Sequence, residues 1–174
     1  MKTDFRPAYK KDFEACWNVI DQARKLMIAS GRHQWTNDYP SVKDIQNDID
    51  NGNAFVITVD DQVAVYGAVM LNGEPQYDFL KGEWLTNGDY YVIHRFATLP
   101  MFQREGLARI FIDKVNSLCE VEKVPSIKVD TNHDNLPMIN LLSSMGFCIC
   151  GQVNYGTRGM RFAFEKTTME IEKL

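Results

Sequence analysis

The segment from Tyr90 to Arg109 reads YYVIHRFATLPMFQREGLAR, and its residue types fit the binding of an anion. A strand is predicted to end near Thr98, Pro100 breaks it, and an amphipathic helix is predicted from about Gly106. The loop between them, Gln103-Arg-Glu-Gly-Leu-Ala108, feeds a helix N-terminus. Backbone N–H groups there have no partner inside the helix and the helix dipole is positive at that end, so phosphate suits such a turn. Gly106 removes the side chain that would hold a ligand off the backbone, and Ala108 keeps the next turn small. Arg104 and Arg109 add two cations. Two familiar phosphate loops are excluded, because no Gly-Lys-Ser/Thr is present and Gly106 lacks the partner glycines of a dinucleotide fingerprint. Taken alone, one glycine says only that a strand turns tightly into a helix.

Other chemistry-bearing residues are scattered. Cys16, Cys119, Cys148 and Cys150 suit buried free thiols in a reducing cytoplasm. Cys148-Ile-Cys150 lacks the second pair a metal site needs, and His33, His94 and His133 stand at no zinc spacing. No metal is implied, and the two thiols are expected on one face of a strand. The stretch 31–40, Gly-Arg-His-Gln-Trp-Thr-Asn-Asp-Tyr-Pro, is a polar loop with two aromatics. Trp35 and Tyr39 either wall a binding pocket or staple the loop to the core; Trp84, with Tyr90 or Tyr91, would complete such a pocket.

These residues have to be positioned by elements that the periodicity predicts. A short strand covers 2–6. Phe13, Trp17, Ile20, Ala23, Arg24 and Met27 repeat at helical spacing up to Ser30-Gly31. Ser41-Val-Lys-Asp44 has the form of a capping box with Asp in place of Glu, and opens a helix that stops at Asn51-Gly52. Strands at 54–59 and 62–71 join at Asp60-Asp61 as a hairpin. A long loop over 72–87 leads to the strand 90–98. Leu107, Ile110, Phe111, Val115 and Leu118 mark a helix, followed by a strand at 127–130 and a helix at 137–145 closed by Gly146. Strands at 152–155 and 160–166 form a final hairpin. The order βααβββαβαββ predicts an α/β chain, a central mixed sheet flanked by helices.

Length and composition agree. A chain of 174 residues, 45% hydrophobic and 24% charged, is expected to form one domain spanning 1–174. A net charge of −4 argues against a general nucleic-acid or anionic-membrane surface. The N-terminal residues are charged throughout and the longest apolar runs are too short to cross a bilayer, so a cytoplasmic location without membrane attachment is expected.

The strand FAT-x-P followed by Gln103-x-x-Gly106-x-Ala108 resembles motif A of the GNAT superfamily of acyl-CoA-dependent N-acyltransferases. Downstream, IKVDTNHDNLPMINLLSSMGF is similar to that family's second signature, with Asn135, Gly146 and Phe147 at the matching separation. With the element order, the resemblance covers nearly the whole chain. It implies that backbone groups of Phe96, Ala97 and Thr98 pair with the pantetheine arm and the acyl carbonyl. It also implies that the loop Gln103, Arg104, Glu105, Gly106, Leu107, Ala108 and Arg109 cradles the CoA pyrophosphate, and that Asn135 hydrogen-bonds the pantetheine. The position often held by a catalytic tyrosine in the family is Leu142 here, which cannot donate a proton.

The implied reaction moves an acetyl group from acetyl-CoA to a primary amine of a small molecule or peptide, by direct attack and without a metal. Such an attack needs a base for the amine proton and a donor for the oxyanion, met by a backbone N–H near Ala97 and Thr98. His94, two residues before Phe96 on the strand, and Glu83, in the preceding loop near the place where related enzymes often carry an acid, are the candidate bases. Each also has an ordinary role, as a satisfied strand histidine and a solvated carboxylate. A non-catalytic acyl-CoA sensor is the alternative, suggested by Leu142, and a purely structural domain is a third. The chain is expected to act as a monomer or homodimer.

Overall fold

In a computed structural model, residues 1–168 are described; the single domain drawn from the sequence runs on to 174, and 169–174 lie outside the described residues. The strands are β1 (Thr3–Pro7), β2 (Ala54–Val59), β3 (Gln62–Leu71), β4 (Lys81–Gly82), β5 (Tyr91–Thr98), β6 (Ser126–Thr131), β7 (Cys148–Asn154) and β8 (Met160–Thr167). The helices are α1 (Phe13–Ala29), α2 (Val42–Asp50), α3 (Leu107–Glu122) and α4 (Leu136–Ser144). The strands form a mixed sheet in the order β1-β2-β3-β5-β6-β8-β7-β4, flanked by the four helices. The chain divides into two compact units, one made of 1–69 and 94–114, the other of 70–93 and the residues from 115 onward. Strands β3 and β5 and helix α3 each contribute to both.

In the first unit, β1, β2 and β3 run antiparallel. The near-continuous apolar runs AFVITV and VAVYGAVM suit strands covered on both faces, and most of their residues are buried. Asp60 and Asp61 turn the β2–β3 hairpin with φ of 45° and 67°, the two left-handed positions of a type I′ turn. The capping box also forms: Ser41 N–H donates to Asp44 Oδ2 at 2.7 Å, and Asp44 N–H to Ser41 Oγ at 3.3 Å. Cys16, Val19, Ile20 and Met27 of α1 pack with Ile45 and Ile49 of α2 and with Ala54, Val56, Val63 and Tyr66.

In the second unit, β5 and β6 pair in parallel through Tyr91–Ile127 and Val92–Lys128, and β6, β8, β7 and β4 continue antiparallel. The segment predicted as a plain loop, 72–87, holds a 3-10 turn at Pro75–Phe79 and the short strand β4. Gly82 pairs with Gly151, and a Cβ on Gly82 would stand 2.1 Å from the Cys150 carbonyl oxygen. Two side-chain-free residues facing each other let this edge pair close, a condition that local pattern does not reveal.

The cysteines depart from expectation in part. Cys16 and Cys119 are buried, and burial pushes both thiols up to about 12. Cys148 is exposed and Cys150 half-buried. The register of β7 shifts between Ile149 and Gly151, so the regular alternation needed to put both thiols on one face does not run through Cys150. No helix among the described residues is long and apolar enough to cross a membrane.

Candidate active site

Strand β5 carries the first unit's charged centre. Arg95 sits in the strand with φ of 50°, a left-handed conformation that interrupts the side-chain alternation. His94 and Phe96, expected on one face, therefore flank an irregular position. The Arg95 guanidinium donates to both carboxylate oxygens of Asp48, from Nη2 to Oδ1 at 2.6 Å and from Nε to Oδ2 at 2.7 Å. Tyr66 also donates to Asp48 Oδ2 at 2.6 Å, and Arg95 Nη1 donates to the Tyr39 hydroxyl at 3.2 Å. Burial works against the Arg95 charge, but the Asp48 carboxylate outweighs it and the net shift is upward. Neither Asp48 nor Arg95 was singled out from sequence. The available signal was a lone arginine inside the apolar run YYVIHRFAT, where a charge is seldom buried unpaired.

Beyond β5 the chain makes a 3-10 turn at Pro100–Phe102 and reaches α3 through Gln103, Arg104, Glu105 and Gly106, all exposed. Arg104 (φ 66°) and Gly106 (φ 75°) are both left-handed, and Leu107 is buried as the first residue of α3. A Cβ built on Gly106 would meet nothing within 4 Å. Protein packing therefore does not demand glycine here; the backbone angle and an approach from outside do. Left-handed residues next to a helix start turn successive N–H groups outward as an anion-binding concavity. Ala108 is half-buried and Arg109 exposed. Phe96, Ala97 and Thr98 are half-buried at the end of β5, with Phe96 against Phe111 at 4.9 Å between ring centroids. A Cβ on Gly67 would stand 2.6 Å from Phe111 Cζ, so the glycine of β3 gives that ring its room.

The loop aromatics have structural duties. Trp35, 6% exposed, joins the first unit's core beside α1 and α2, as a staple does. Tyr39 is half-buried and held by Arg95.

Trp84, Glu83 and Asn135 belong to the second unit. Trp84 donates its indole N–H to the Tyr77 carbonyl at 3.0 Å, and its ring lies 4.1 Å from Lys128 Nζ, which Tyr90 approaches at 4.2 Å. Lys128 is buried, and burial lowers its pKa despite the opposing pull of Glu165. Glu165, also unanticipated from sequence, is fully buried and accepts from Leu85 N–H, Thr86 Oγ1 and Ser126 Oγ, the last at 2.6 Å. Glu83 is exposed and its backbone N–H donates to Cys150 O at 3.0 Å. Asn135 is buried at the start of α4, where its amide donates to Thr131 Oγ1 at 3.1 Å.

The sequence profile of the acetyltransferase (GNAT) family matches residues 7–147. The chain belongs to the GNAT family of acetyltransferases. A GNAT-family acetyltransferase structure from Streptococcus agalactiae 2603 is 32% identical over 97% of this chain and 96% of that one, with a TM-score of 0.87. A GNAT-family acetyltransferase from Listeria monocytogenes 4b F2365 shares the fold at 21% identity and a TM-score of 0.75, covering 95% and 94% of the two chains. The ribosomal-protein-S18-alanine N-acetyltransferase of Escherichia coli shares it at 16% identity and 0.69, covering 99% of each. No curated protein matches the sequence. In this GNAT chain the family's motif A is the stretch from β5 to α3, and Leu142 of α4 is fully buried as a packing residue.

Proposed function

We propose that this acetyltransferase uses acetyl-CoA to acetylate a primary amine of a small molecule or peptide in the cytoplasm, by direct attack. The observation that carries the reading is the exposed turn before α3, with left-handed Arg104 and Gly106 and open space over Gly106. Those residues fit a pyrophosphate: the N–H groups of 103–109 hold it, and Arg104 and Arg109 add positive charge. Acetyl-CoA supplies an acyl group already activated as a thioester.

The chain's own groups do the rest. Backbone N–H groups at Ala97 and Thr98 carry the charge that develops on the acyl oxygen. Asn135 holds the pantetheine arm, as the family resemblance implies. An alkylamine is mostly protonated at neutral pH, so a base has to remove its proton before attack. His94 is the favoured base, half-buried on the strand that leads into the loop and in the same unit; Glu83 is the alternative. Leu142 offers no acid. Tyr155 keeps its proton, because burial and the neighbouring Asp130 carboxylate raise its pKa, and it gives that proton's hydrogen bond to Asp130 at 2.8 Å. A thiolate with an ordinary pKa of about 8.5 departs at neutral pH with little need of an acid, so water suffices.

Calorimetry with CoA tests the phosphate loop. Gly106→Val is expected to fold, since its Cβ meets no protein atom, and to bind CoA at least tenfold more weakly, about 1.4 kcal/mol. Unchanged affinity in the folded variant overturns the assignment. Free-thiol release from acetyl-CoA across an amine panel tests turnover; tight CoA binding without release by any amine would favour a sensor.

A further inference from the structure

The second unit contains a buried cation that its own fold does not neutralise. Arg161, the second residue of β8, is 3% exposed. Its Nη1 donates to the Met160 carbonyl at 3.3 Å, while its buried Nη2 has no hydrogen-bond partner among the described residues. A guanidinium N–H removed from water and left unmet costs about 1–3 kcal/mol or more, so a fold retains one where something outside the chain completes it. Burial lowers the Arg161 pKa from 12.5, yet an arginine stays charged at neutral pH.

The guanidinium lines a cleft of about 230 Å³ with His133, Gln152, Met160 and Phe162. That is smaller than the roughly 300–1,000 Å³ of drug-sized sites, and suits a ligand of a few heavy atoms. Its walls are mixed. Met160 and Phe162 are apolar, whereas His133 and Gln152 are exposed polar residues. The charges acting on Arg161 are Asp130 and Asp134 on one side and Arg158 on the other, with the Tyr155 ring 5.9 Å from the guanidinium. Asp130 Oδ2 is already engaged by the hydroxyls of Tyr77 and Tyr155, at 2.7 and 2.8 Å. Asp134 Oδ1 accepts from Asn132 at 2.8 Å. With two acids and one further arginine around it, the guanidinium leaves the site able to take one negative charge. A dianion would meet Asp130 and Asp134 as repulsion.

We propose that this cleft is a binding site for a short-chain monocarboxylate, its carboxylate on Arg161 Nη2, its alkyl part on Met160 and Phe162, and its far end beside His133 and Gln152. The site is independent of the acetyl-transfer reading.

A backbone-amide NMR titration of the full chain with butyrate, butyramide and inorganic phosphate tests it. Butyrate is expected to give saturable shifts at 133, 152 and 160–162, with a Kd of roughly 1 mM, and butyramide to bind at least tenfold more weakly. Arg161→Met is expected to lose butyrate binding by at least tenfold. Met160→Glu changes an exposed position, so its fold is safe, and sets a competing carboxylate at the cleft; the same loss is expected there. Butyramide binding as well as butyrate, phosphate binding more tightly than butyrate, unsaturable or scattered shifts, or unchanged binding by Met160→Glu would each overturn the proposal.

Discussion

Arg95 and Arg161 are both largely buried strand residues, one in each unit, and they are treated in opposite ways. Around Arg95 the fold supplies a two-oxygen carboxylate contact from Asp48, a tyrosine hydroxyl from Tyr39 and a further donor, Tyr66, to the same carboxylate. The net pKa rises. Around Arg161 it supplies one carbonyl and the face of Tyr155, leaves Nη2 unmet, and the pKa falls. A buried cation whose partners are all internal belongs to architecture, and one whose partners are incomplete is available to a ligand.

The contrast can be broken most sharply at Asp48. Asp48→Asn leaves Arg95 buried beside a neutral group, and urea denaturation is expected to show a loss of about 3–5 kcal/mol. The paired change Asp48→Leu with Arg95→Met removes both charges and should recover most of that loss; a double variant as unstable as the single one would mean the pair itself is not the cause. A smaller effect is expected from Tyr66→Phe. It takes one hydrogen bond from a carboxylate that keeps Arg95, and should cost about 1.5–3 kcal/mol. The smallest belongs to Arg161→Met. Replacing an incompletely paired buried cation by an apolar chain of similar length should move stability by less than about 1 kcal/mol in either direction. A loss as large as that of Asp48→Asn would place Arg161 with Arg95 among the architectural residues.

How much of this was legible in the sequence depended on the range of the interaction. The Ser41–Asp44 capping box and the Asp60-Asp61 hairpin are decided by residues within three positions of each other, and both formed as predicted. The turn into α3 was legible for the same reason, since Gly106 and the helix it opens are adjacent. The β4 strand was not, because Gly82 faces Gly151 across the sheet and nothing near either residue announces the other. The Asp48–Arg95 pair and the contacts of Glu165 with Leu85, Thr86 and Ser126 join segments far apart in the chain. Trp35 was legible as an aromatic in a polar loop but not as a staple, because the choice depended on how α1 and α2 close over it.

The arrangement of the first unit also governs how the protein emerges from the ribosome. Its residues come from two stretches, 1–69 and 94–114, separated by chain that belongs to the other unit. Asp48 and Arg95 are 47 positions apart, so at roughly 5–20 residues per second the carboxylate of α2 waits a few seconds for its cation. During that interval β1, β2 and β3 can pair, but the acid that Tyr66 reaches remains without its counter-ion. Synthesis of β5 then supplies the strand and the charge in the same stroke, and the nascent first unit locks only when the polypeptide that opens the CoA loop has already left the tunnel.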